Sequence, residues 1–114
     1  MNKVVLNEAD FKRDANRAIE IASRLLNDSN DYLDNVLELN KIGNRLVGEV
    51  WNTEFHVFGV IASDTDHLPT KNVRPRCSQS MLEKSDEELQ EIIKFYKAEV
   101  YDACNKILNK YQNV

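Results

Sequence analysis

Few residues in this chain interrupt regular structure. It has three glycines and two prolines in 114 residues, so long irregular stretches are not expected. Its two cysteines, Cys77 and Cys104, are far apart and form no Cys-x-x-Cys pair, which removes the usual zinc signature. There is no excess of basic charge: 19 acidic residues against 15 basic ones leave a net charge of −4. A nucleic-acid binder normally shows a basic face, and an anionic membrane surface attracts one. Neither partner is therefore expected. No apolar run approaches the roughly 18 residues that span a bilayer. The short run at residues 1–6 does not make a secretory signal, so the expectation is a cytoplasmic protein with reduced thiols. P-loop, dinucleotide fingerprint, nucleophile elbow and His-Glu-x-x-His motifs are all missing. Catalytic residues, a resident metal and a cofactor are accordingly not assigned.

The composition that remains belongs to one folded domain spanning 1–114. Hydrophobic residues make up 42% and charged residues 30%. A first helix is expected from Asn7, whose side chain suits an N-cap, with Glu8 and Asp10 at the positive end of the dipole. Phe11, Ala15, Ala18, Ala22 and Leu25 recur at helical spacing. Residues 27–30, Asn-Asp-Ser-Asn, end it. A second helix is expected from Asp31, with Leu33, Val36, Leu37, Leu46 and Val47 on its stripe. Gly43 implies close packing there, and Gly48 a frayed end. Ser85-Asp86-Glu87-Glu88 reads as a capping box opening a last helix that runs to about Lys110. Its stripe starts at Leu89 and includes Ile92, Tyr96, Val100, Cys104 and Ile107.

The segment 54–76 is different, and the other elements look arranged to hold it. It contains both histidines and both prolines. Residues 55–61 are rich in aromatic and β-branched side chains on both faces, which predicts a buried extended segment. Residues 45–51 either continue the second helix or form a strand paired with 55–61 as a hairpin through Asn52-Thr53. Trp51, Phe55 and Phe58 are expected in the core. The fold expected is mainly α: a small helical bundle of two long helices and a middle helix around one extended segment, with or without a short β-hairpin.

Ser63-Asp64-Thr65-Asp66-His67 concentrates carboxylates, hydroxyls and an imidazole in five residues. The plain reading is turn chemistry, because Asp and Ser commonly cap backbone amides. The sharper reading is a binding site, and carboxylate with imidazole also suits metal ligation or acid–base work. Asp64-x-Asp66 lacks the glycine and downstream acids of a calcium loop. Arg74 and Arg76 flank Pro75 and either pair with the acidic turn or hold an anion. Cys77, beside Arg76, is the better placed of the two thiols to react. Asp64, Asp66, His67 and Arg74 are the candidate binding residues.

The run Phe55-His56-Val57-Phe58-Gly59-Val60-Ile61-Ala62-Ser63-Asp64-Thr65-Asp66-His67-Leu68-Pro69, with Arg74 and Met81-Leu82 after it, resembles small bacterial proteins in which an apolar strand enters a Ser-Glu-Thr-Asp-x-Leu-Pro turn. The likeness covers residues 37–104. Asp64 stands where those proteins are expected to carry glutamate, and Thr70-Lys71-Asn72 where a glycine is expected. The resemblance implies a compact domain and marks residues 63–69. It supplies no reaction. By analogy with small accessory proteins, some of them immunity proteins, the expected function is that of a small acidic cytoplasmic protein that binds another protein, in particular a basic one, as an inhibitor or immunity-type partner. The alternative is a small-molecule or metal-binding protein that uses the turn at Asp64-Thr65-Asp66-His67, with His56 or Arg74 closing the site. A homodimer is compatible with both.

Overall fold

A computed structural model describes residues 7–27 and 31–112. Among the described residues four α-helices follow one another: α1 (Glu8–Leu26), α2 (Tyr32–Val47), α3 (His56–Asp64) and α4 (Gln79–Tyr111), with a 3-10 turn at Arg74–Arg76 before α4. The main contacts run α1 to α2, α2 to α3, α3 to α4 and α4 back to α1, closing a four-helix ring. The molecule measures 46 × 27 × 22 Å. At about 1.5 Å per residue, the 33 residues of α4 account for its long dimension.

Asn7 caps α1, its side-chain oxygen accepting the Asp10 N–H at 2.8 Å. Ala15, Ala18 and Ala22 are fully buried, and their small side chains let α2 and α4 approach α1 closely. Asp31 is the N-cap residue of α2. The expected stop signal of α1 begins at its C-cap Asn27, and its remainder, 28–30, lies outside the described residues. Gly43 faces Phe55 so closely that a Cβ there would lie 2.5 Å from the ring's Cγ. Gly48 ends α2 at φ 78°, a left-handed conformation that favours glycine.

Two expected features differ. Residues 55–61 are not extended: His56–Asp64 is helical, and no strand or hairpin occurs among the described residues. Residues 45–47 belong to α2 and 48–55 form turns. The β-rich composition loses to burial. In a helix Phe58 and Ile61 follow Phe55 at three-residue steps and enter the core together with Val57, while the backbone bonds are closed internally. Thr53 prepares the entry to α3, its Oγ1 accepting the Phe55 N–H and donating to the Val50 carbonyl. Trp51 is not core. It is 68% exposed and meets the His56 ring edge to face.

Helix α4 starts seven residues before the expected capping box. Ser78 is the N-cap and accepts the Met81 N–H. No residue from 79 to 84 breaks a helix, so the first cap in the chain sets the start. The buried residues of α4 are Val100, Ala103, Cys104, Ile107 and Tyr111, all in its C-terminal half. Burial pushes the Cys104 thiol up to about 12, so Cys104 is a core residue. Tyr111 joins Phe55 and Phe11 in an aromatic cluster with ring centroids 6.0 and 6.3 Å away. Asp102 and Lys106 form the expected i,i+4 pair at 2.9 Å. The other half of α4, residues 79–99, contains no fully buried side chain.

Candidate functional site

The four candidate binding residues do not converge on a pocket. Three of them brace the N-terminal half of α4. Asp64, the last residue of α3, accepts a hydrogen bond from the Tyr96 hydroxyl at 2.6 Å. This bond to the carboxylate pushes the Tyr96 hydroxyl above its ordinary pKa. The Nε2 atom of His67 contacts the Glu88 carboxylate. Arg74 reaches Asp86 with both terminal nitrogens, at 2.8 and 3.0 Å. The paired geometry raises the Arg74 pKa and lowers that of Asp86. Asp66 is the outlier: it is exposed and lies 4.0 Å from the His67 ring.

Arg74 therefore pairs with α4 and not with the acidic turn. Thr65 holds that turn closed from inside, its buried Oγ1 donating to the Ile61 carbonyl at 2.7 Å. The Leu68 side chain is buried below it. Asp86 and Glu88 are two residues apart, so they lie about 200° apart around the helix axis. Arg74 and His67 thus grip opposite flanks of α4. Asp64 adds a hold on the His67 side, two turns further along.

His56 lies at the other end of α3 from His67. Its Nδ1 atom accepts the Asn52 N–H at 3.1 Å. A site joining Asp64, Asp66 and His67 with His56 or Arg74 therefore lacks its geometry. Among the described residues no three His, Cys, Asp or Glu side chains converge in a way that fits a metal ion. Cys77 is partly exposed and its Sγ lies 3.7 Å from the Val73 carbonyl. Among the described residues no helix is long and apolar enough to cross a membrane.

Two surfaces flank the braced half of α4. On one side lies an open groove of about 800 Å³ with Leu25, Leu33, Leu89 and Ile93 on its floor. Its rim charges nearly balance, and two of its cations are already paired, Arg74 with Asp86 and Lys71 with Asp31. The other side carries a stripe that the sequence reading did not single out. Met81, Glu88 and Phe95 follow at seven-residue steps, with Glu91 and Ile92 between them and Glu99 beyond. Phe95 is 77% exposed and Met81 55%. The Phe95 ring stands edge to face against Tyr96, 4.9 Å between centroids, which fixes it on the outside of the helix. The signal for this stripe was in the sequence: Phe95 is out of phase with the Tyr96 and Val100 positions that point inward.

The contribution of the brace is measurable. Arg74 and Asp86 are each partly exposed, so Arg74→Ala should cost no more than about 1 kcal/mol of global stability. Its effect should be local, because residues 79–99 have little core beneath them. Amide hydrogen exchange in the first four turns of α4 should speed up about fivefold. Exchange at 100–111 should not change. Equal acceleration along the whole helix would remove Arg74 from the brace.

Comparison with protein-family models, curated proteins and solved structures finds no match to this chain.

Proposed function

We propose that this is a small acidic cytoplasmic protein that binds another protein, acting as an inhibitor or immunity-type partner of a basic protein. The observation that carries the reading is the first half of α4. Residues 79–99 of α4 bury no side chain fully, yet three side-chain contacts from the 64–74 segment hold them in place. Bracing a helix costs conformational entropy, and here it yields little core. An ordered surface with an aromatic ring on its outside suits a docking face. Asp64, His67 and Arg74 then act by positioning the face, and Asp66 extends its negative charge. The excess of acidic residues supports a basic partner through faster encounter and rejection of acidic competitors.

The test compares the wild-type chain with Phe95→Asp, each tagged, expressed in the source cells and cross-linked before purification. The wild type should retain one polypeptide in fixed ratio. Phe95→Asp should lose that polypeptide while melting at the same temperature, since Phe95 supports no core. An identical set of retained polypeptides from both chains would overturn the reading.

A further inference from the structure

We infer that the stripe of Met81, Glu88, Phe95 and Glu99 seats a basic amphipathic helix supplied by the partner. The inference rests on the protein-binding reading above and adds the shape and charge of what is bound. A seven-residue repeat is the spacing that a second helix, laid alongside at a small angle, meets about every second turn. Met81 and Phe95 are the apolar anchors, about 21 Å apart along the axis. Ile92 lies one turn before Phe95 and is half-buried beside it.

Charge decides the occupant. Glu91 and Glu99 lie between and beyond the anchors, Glu88 adds a carboxylate already held by His67, and Lys84 is the one lysine on the stripe. Two stripes that each carry three glutamates and one lysine repel one another overall, and in parallel register each glutamate faces its own copy. A basic helix meets them with opposite charge while its apolar side covers Phe95 and Met81. The groove on the other flank of α4 offers no such bias, because its rim charges nearly cancel.

The experiment uses the full chain and a fluorescein-labelled amphipathic peptide of about 18 residues built from leucine and lysine, long enough to span both anchors. A second peptide replaces each lysine by glutamate. Binding is read by fluorescence anisotropy. The lysine peptide should bind, and raising salt from about 50 to about 300 mM should weaken it. The double variant Glu91→Gln with Glu99→Gln, which leaves the His67 contact of Glu88 in place, should weaken binding at least about fivefold, and Phe95→Ala likewise. Lys94→Gln with Lys97→Gln, on the groove side, should leave it unchanged. Circular dichroism should show that each variant melts like the wild type. Failure of the lysine peptide to bind, or equal binding by the double glutamine variant, would overturn the inference. Preference for the glutamate peptide that is lost in Phe95→Ala would overturn the charge assignment alone and leave the protein-binding reading standing. That reading fails separately, in the comparison of retained polypeptides.

Discussion

Replacing Phe55 by alanine should lower the unfolding free energy by about 3–5 kcal/mol, a large part of the stability of a domain of this size. Phe55 is fully buried where α2, α3 and α4 meet. Its ring packs on Phe58 and Tyr111, and its Cβ and Cγ fill the space left by Gly43. Removing the ring opens a cavity that two helices cannot close without moving. The reciprocal change, Gly43→Ala, tests the same contact from the other side. On an exposed helix it would gain about 1 kcal/mol from propensity. Here the added Cβ would fall 2.5 to 2.8 Å from three atoms near the root of the Phe55 side chain, which cannot swing away. Overpacking of this kind costs about 1–3 kcal/mol, so Gly43→Ala should destabilise on balance. The double variant Gly43→Ala with Phe55→Leu should lose less than the sum of its parts, because the smaller side chain leaves room for the methyl group. Urea unfolding of these three variants and of Phe55→Leu alone gives the four values. Strict additivity, or a stabilising Gly43→Ala, would mean that the two residues do not compete for one space.

That contact also shows how far the sequence could be read. Gly43 inside an otherwise good helix implied close packing, and it does pack closely. The Asn7 cap and the Asp102 to Lys106 pair were legible because each depends on neighbours within about one turn, and the buried Cys104 because it falls in phase with the apolar stripe of α4. Residues 55–61 were misread because α3 packs between α2 and α4 and is apolar on several sides. A nine-residue helix of that kind has no polar face, so its period cannot be told from that of a buried strand. Ser85 lost to Ser78 because two caps compete for one helix and nothing between them halts it. The 63–69 turn was visible as a concentration of polar groups. Its bracing of α4 was not, since Asp64 and His67 find partners 32 and 21 residues away. Tertiary packing creates such contacts, and no local pattern announces them.

A second large effect is expected at Asp14, a carboxylate in the interior of the α1–α2 contact. Its side chain is only 4% exposed, and Arg45 meets it in a two-pronged pair at 2.9 and 3.0 Å. The hydrogen bonds from Arg45, helped by its charge and that of Arg13, outweigh burial and hold the Asp14 carboxyl below the usual carboxylate range. Arg45→Ala removes the partner and leaves the carboxylate in place, with Arg13 3.9 Å away as its remaining cation. Stranding a buried charge costs about 3–5 kcal/mol; Arg45 is half-exposed, so about 3 kcal/mol is expected at pH 7. The pH dependence gives a sign as well as a size. In the wild type, the lowered pKa contributes stability that is complete above the unfolded value of about 3.9 and is lost as pH falls through the lower folded value. In Arg45→Ala, burial dominates and raises the Asp14 pKa, so protonation relieves the variant as pH falls. The gap between the two proteins should therefore be widest near neutrality and narrow below about pH 4. Replacing both residues, as Asp14→Leu with Arg45→Met, should recover most of the loss, because no charge then remains buried. Urea midpoints at a series of pH values measure each of these. A gap that stays constant from pH 7 to pH 3.5 would show that Arg45 acts through its packing and not through the carboxylate.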